Sequence, residues 1–421
     1  MPRPRVLAIF GISFGPKTRS AIKSIISSSL VPMPNMFCAF INAITTKKVV
    51  QLALYHLNSF SLSYIIGASK YQSRRQFMKA IVYHEFGGVE VLKYEDVPDP
   101  EIGDEEVLVR VRATSINHLD LRLRAGKSPR PVKLPHIGGV DIAGDVVRVG
   151  SRVTQVNEGI RVVVDPVIRC GKCRFCQIGE QNMCVAPKIV GVNLHGGFAE
   201  YVKVPAVNVV PIPDGLSYND ASTLPICFVT AWYALIERGN IKPGETVLVH
   251  AAGSGTGSAA VQVAKLAGAR VIATAGSDEK LARVKELGAD ETINYNSLDF
   301  AAEIKKLTGE NGVDLIFDQI GASVWDKNIQ SLSAKGRMLL IGVVGGGMVS
   351  ANIGPLIMRD LSVLGVTVFQ APRRNLVTIV NLAAEGKIRP VIDKIFPLKE
   401  AQAAQRLLED RNQFGKVVLN P

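Results

Sequence analysis

The chain has 421 residues, 47% hydrophobic and 20% charged, with six cysteines. That is long enough for two folded cores, too globular for a disordered chain, and without a run of about 18 apolar residues that would read as a membrane span. The net charge of +12 suggests nucleic acid until it is located: residues 1–77 hold ten Lys and Arg and no Asp or Glu, which leaves +2 for residues 78–421.

Residues 1–77 are Ser-rich and acid-free, without a sustained helix or strand period. They read as an extension, with Met78 as the true start or with a targeting segment before it. A cytoplasmic protein is expected, or an organellar one if the extension targets it. From Met78 short β runs follow, punctuated by Gly, Pro and Asp: "KAIVYHEF", "EVLVRVRATSI", "GDVVRVG", "RVVVDP" and "AEYVKVP". They predict an antiparallel, partly barrel-like domain.

Inside that region lies "CGKCRFCQIGEQNMC". Cys170, Cys173, Cys176 and Cys184 are four of the six cysteines, and such clustering points to a metal in a reduced compartment rather than to disulfides. Four thiolates complete a tetrahedral zinc site and leave no open position for water or substrate, so a structural zinc is expected, with an empty lobe or iron in place of zinc as the alternatives.

From about residue 228 the rhythm becomes strand, helix, strand. "TVLVHAA", "RVIATA", "ETINY", "VDLIFDQI", "GRMLLIGVV" and "LSVLGVTVF" are six apolar runs separated by helical spacers, which predicts a doubly wound parallel sheet of α/β class. After the first run comes "GSGTG", opening a helix. Ala252, Gly255, Thr256 and Gly257 fit a turn that brings backbone N–H groups to a pyrophosphate. Ala275 ends the second strand where NAD-binding folds place a carboxylate. Ser277 and Lys280 beside it suit a 2′-phosphate, and Tyr295 would flank the adenosine, so NADP(H) is the expected cofactor. Lys280 also reads as an ordinary solvated helix residue.

Together these stretches resemble the medium-chain dehydrogenase/reductase superfamily, from Met78 to Pro421. The match rests on "GGVDIAGDVVRVG", the cysteine lobe, "GGFAEYVKVP", "AAGSGTG" and "GKVVLNP". The resemblance implies a GroES-like domain over 78–227, completed by 370–421, and a Rossmann domain over 228–369. It implies that the cysteine lobe is the family's structural-zinc lobe, and a homo-oligomer, dimer or tetramer, is expected. Where the family's zinc alcohol dehydrogenases carry catalytic-zinc ligands, this chain has Asn117, Val140 and Ile226, with Asp141 at the neighbouring acidic position. The catalytic zinc is therefore expected to be missing.

Without a Lewis acid, hydride goes to an acceptor that is already electron-poor. The resemblance is to the quinone oxidoreductase and enoyl reductase branch, and Asn117 and Asp120 match its "N-x-x-D" as candidate catalytic residues. Thr230 falls at the domain junction, where the cofactor passes. The plainer readings are that Asn117 caps a turn and that Asp120 pairs with Arg122 or Arg124. His118 and His136 are further proton-donor candidates. An enoyl-CoA substrate remains open, with Arg122, Arg124, Lys127, Arg130 and Lys133 as a basic cluster for its phosphates. So do a zinc-type alcohol dehydrogenase and an NADPH-binding protein without catalysis. The partner expected is a small molecule, with neither nucleic acid nor membrane.

Overall fold

The computed structural model describes residues 77–128 and 130–421. The readings made for residues 1–76 lie outside the described residues. Phe77, assigned to the extension from sequence, is already the first residue of a strand, Phe77–Tyr83, and pairs with Pro98. That strand is the middle of a three-stranded sheet with Lys93–Pro98 and His136–Ile137.

A larger sheet follows. Its strands are β1 (Glu106–Ser115), β2 (Asp141–Val149), β3 (Arg161–Val164), β4 (Tyr201–Pro205) and β5 (Val209–Pro211). The last two strands of the chain, introduced below, join it. The predicted antiparallel pairing holds among β1 to β5. Its apolar side chains, including Val107, Val109, Ile142, Val162 and Val202, meet in one core.

The second layer system starts at β6 (Thr246–Val249) and continues through β7 (Arg270–Ala275), β8 (Glu291–Asn294), β9 (Val313–Asp318), β10 (Leu332–Leu340) and β11 (Ser362–Gly365). All are parallel, in the order β8-β7-β6-β9-β10-β11. The central strands are buried on both faces, which is why they read as unbroken apolar runs. The order reverses between β6 and β9, so their C-terminal ends open a crevice at that switch point.

After β11 and the helix Arg373–Ala384, the chain returns to the first sheet with β12 (Ile392–Pro397) and β13 (Lys416–Asn420). β13 pairs antiparallel with β1, but β12 and β13 are parallel, joined by the helix Ala401–Glu409. The first sheet is thus mixed, a departure from the antiparallel expectation. The return places Lys416 beside residues 116 and 117, next to the crevice.

Candidate active site

The cleft at the switch point has a volume of about 670 Å³. Its nucleotide side is built by the turn after β6. Ser254 caps the helix Gly255–Leu266 by accepting from the N–H of Gly257 at 3.0 Å. Gly257 has no room for a Cβ, which would stand 2.2 Å from the carbonyl oxygen of Ala251. The helix start therefore presses against the turn, and its N–H groups face the crevice. Gly255 and Thr256 line the cleft as expected; Ala252 and Gly257 stand behind it and shape the turn. Sequence reasoning missed Ala251, Gly253 and Ser254, which also border the cleft.

Ala275, Ser277, Lys280 and Tyr295 come together at the end of β7, all on the cleft. Ser277 caps the helix Asp278–Glu286. β7 ends in Ala275, so the position whose carboxylate would repel a 2′-phosphate is apolar, but Glu279, two residues beyond Ser277, also lines the cleft. Lys280 Nζ donates to the carbonyl oxygen of Arg411 at 2.6 Å. Partial burial holds its pKa below the usual lysine range, with Arg283 adding to the effect. Arg411 and Gln413, also missed from sequence, face the cleft from the turn before β13.

The other end of the cleft is formed where β1 runs into the short helix His118–Arg124. Asn117 and His118 line it; Asp120 does not. Asp120 is buried and accepts from the backbone N–H of Asn117 at 2.8 Å and of Gly139 at 3.2 Å. Its burial raises its pKa to about 7, against the pull of those N–H groups. The expected pairing of Asp120 with Arg122 or Arg124 is not formed: Arg124 is buried against Gln405, Glu409 and the carbonyl of Gly87. Arg124 is thereby also removed from the basic cluster proposed for coenzyme A. Thr230 borders the cleft, and its hydroxyl donates to the carbonyl of Ile226. Burial lowers the pKa of His118, with Lys416 and Arg411 adding to the effect, so it stands neutral. His136 lies away from the cleft under Tyr83, its pKa lowered by burial to about 4.

The residue that sequence reasoning missed most clearly is Lys416. Its ammonium is buried and donates to Asn117 Oδ1 at 2.7 Å, to the Ile116 carbonyl at 2.8 Å and to Asp141 Oδ2 at 3.1 Å. Asp141 also accepts from Ser115 Oγ at 2.8 Å, Asn117 Nδ2 at 2.9 Å and the backbone N–H of Ile226 at 3.0 Å. Burial opposes the charge of Lys416, but the facing Cys227 and Asp141 outweigh it and keep its pKa above the usual lysine value. A buried lysine needs such partners, and a Lys heading an apolar strand in "GKVVLNP" was the available signal.

The four cysteines are a separate site. Their sulfur atoms lie within 4.8 Å of one another, and Cys170 and Cys176 are 4.0 Å apart. A zinc tetrahedron with Zn–S bonds of about 2.3 Å has edges of about 3.8 Å, so the arrangement fits the ion. Backbone N–H groups of Cys173 and Cys170 point at sulfur, and those of Cys176 and Val185 hold the Cys173 thiol down at about 6, as a thiolate ligand requires. Among the described residues, no other three His, Cys, Asp or Glu converge this closely.

Residues 103–214 match the family description "Alcohol dehydrogenase GroES-like domain", and residues 255–385 match "Zinc-binding dehydrogenase". The acryloyl-coenzyme A reductase of Sulfurisphaera tokodaii is 34% identical over 346 residues, 82% of this chain and 100% of the relative. The chain belongs to the medium-chain dehydrogenase/reductase superfamily. The human quinone oxidoreductase, another member of similar sequence, is 30% identical over 82% of this chain and 98% of its own length. A crystal structure of an NAD-dependent alcohol dehydrogenase superposes with a TM-score of 0.78 at 42% identity, covering 82% of this chain and all of that one. As a member of this superfamily, with the GroES-like and parallel-sheet architecture just described, the chain is an oxidoreductase. Among its described residues, no helix is long and apolar enough to cross a membrane.

Proposed function

We propose that the enzyme transfers hydride from NADPH to a quinone or to a C=C bond conjugated to a carbonyl, with one structural zinc and no catalytic metal. One observation carries this reading. Where a catalytic zinc would need ligands, Asn117 and Ile226 line the cleft, Val140 is buried, and the Lys416 ammonium lies 2.7 Å from Asn117 Oδ1. A protein cation stands in that cluster, and Val and Ile offer a metal nothing. Oxidising a simple alcohol requires its deprotonation, which such a zinc assists. An enone or quinone carries its own electron sink, so positioning suffices.

Ser254, Gly255 and Thr256 would hold the pyrophosphate, and Ser277 and Lys280 the 2′-phosphate; the reduced nicotinamide supplies the hydride. Ile116, Leu119, Ile226, Val368 and Phe369 give the cleft an apolar wall suited to an unsaturated substrate. The deciding experiment offers purified enzyme NADPH with a quinone and with an α,β-unsaturated ketone, in the presence of a mild chelator. Turnover with at least one acceptor is expected, and no reduced cofactor should form from ethanol or benzyl alcohol. Chelator-sensitive alcohol oxidation would sink the reading.

A second reading, an enoyl-CoA substrate, draws on the acryloyl-CoA reductase relative and on Arg130, whose guanidinium sits 5.4 Å from the ring of Phe369 at the cleft wall. A kcat/KM for crotonyl-CoA far above that for a simple enone would favour it.

A further inference from the structure

The side-chain amide of Asn117 is held in one orientation by charge. The Lys416 ammonium can only donate, and its three N–H groups go to Asn117 Oδ1, the Ile116 carbonyl and Asp141 Oδ2. The Asp141 carboxylate accepts, and its Oδ2 takes a bond from Asn117 Nδ2 at 2.9 Å. Turning the amide over would set its NH2 against the ammonium and its oxygen against the carboxylate. One N–H of Asn117 is then left. Its nearest acceptor is the carbonyl of Ser115 at 3.5 Å, the outer limit for such a bond. Asn117 is on the wall of the cleft, beside Ile116 and His118.

We propose that Lys416 is a positioning residue that turns the Asn117 amide so that this remaining N–H becomes the oxyanion donor for the substrate carbonyl. The inference rests on the reaction proposed above. In that reaction the carbon β to the carbonyl receives a hydride, and the C=C electron pair shifts toward the carbonyl, whose oxygen takes the negative charge of an enolate. The α-carbon later takes a proton from water. The substrate is reduced by two electrons and the nicotinamide is oxidised by two. A preoriented donor at that oxygen favours the transition state over the ground state. The ammonium has no N–H left for the substrate, so it acts through Asn117, with its positive charge one bond further back.

The test uses the full chain with NADPH and an enone. Asn117→Asp keeps the shape and an oxygen for Lys416 but sets a second carboxylate oxygen against Asp141 and has no N–H, whereas Asn117→Ala removes the N–H and adds no charge. Both should lower kcat by about 10²- to 10³-fold, while the enone KM and the NADPH dissociation constant, read by fluorescence, change about twofold or less. Lys416→Met should cause a comparable loss, and the double variant Lys416→Met/Asn117→Ala should be no slower than the worse single one, since the two act as a unit. If Lys416→Met does not fold, Lys416→Met/Asp141→Asn removes both buried charges and takes its place. Wild-type turnover in both Asn117 variants, or multiplying effects in the double variant, overturns the proposal. A second readout needs no turnover. 4-Nitrophenol bound to the NADP⁺ complex should be held as the yellow phenolate by wild-type enzyme and not by Asn117→Ala; identical spectra overturn the donor role. Failure of every enone and quinone with wild-type enzyme would instead remove the proposed reaction, leaving the phenolate result to judge the donor alone.

Discussion

The ammonium of Lys280 donates to the carbonyl oxygen of Arg411 at 2.6 Å, tying the helix after β7 to the turn before β13. Those elements belong to the two sheets on either side of the cleft, so the 2′-phosphate of the proposed NADPH, placed at Ser277, would meet a lysine already fixed in place. An incoming phosphate offers the ammonium a stronger, charged acceptor than the carbonyl. Lys280→Ala should therefore raise the NADPH KM by about 10- to 150-fold, the equivalent of about 1.5–3 kcal/mol for a charged hydrogen bond. NADH should be little affected. Equal losses with both cofactors would assign Lys280 to holding the 411 turn rather than to reading the phosphate.

The zinc lobe is not remote from the cleft. Its segment Gln181–Met183 packs on Val368–Gln370, which carries the wall residue Phe369. Arg169, just before Cys170, donates to the carbonyl of Ala371 at 2.9 Å and pairs with Asp165 at 2.7 Å. Elemental analysis should give about one zinc per chain. Cys173→Ser should lower the melting temperature by more than about 5 °C, and should raise the KM for the acceptor more than that for NADPH, because the wall it loosens faces the acceptor. A variant that melts lower with both Michaelis constants unchanged would confine the lobe to stability.

The parallel sheet was legible because its central strands are buried on both faces and its helices have local punctuation, such as Ser254, Ser277 and Gly268. Each apolar run became a strand within a few residues. The cysteine spacing was equally local, all four cysteines falling within 15 residues of chain. What could not be read was pairing at long range. Lys416 meets Asn117 across 299 positions, and β12 lies parallel to β13 only because a helix returns the chain. Asp120 misled for another reason: two arginines stood close in sequence, but the backbone N–H groups of Asn117 and Gly139 were nearer in space.

Asp120 also predicts a pH dependence. Its pKa is about 7 in the folded protein, raised by burial, against an unperturbed carboxylate near 4. Between these values the folded state holds a proton that the unfolded state has released. Stability from this group is therefore greatest below about pH 4 and declines as pH rises toward 7. Asp120→Asn cannot ionise and should flatten the stability profile between about pH 4.5 and 7, removing a slope of up to about 1.4 kcal/mol per pH unit. Denaturant melts of both proteins at half-unit intervals measure this; parallel profiles would mean that Asp120 stays ionised in the fold.

The sheet of the nucleotide half ends at β11, which pairs with β10 and, among the described residues, with no strand on its other side. In the chain just before this edge strand, the stretch 348–358 displays Met348 at 90% exposure, Met358 at 83%, Ile357 at 74% and Ile353 at 62%. Unpaired backbone groups next to large exposed apolar side chains form a surface that needs a cover. A second copy suits it, since two such edges related by a two-fold axis can pair and bury each other's Met and Ile side chains. Light scattering should therefore give a particle mass of at least two chains. Ile357→Asp together with Met358→Glu should shift it to one chain while leaving the cleft residues in place. A single-chain mass for the unaltered protein, or an assembly that ignores both substitutions, would place the interface elsewhere.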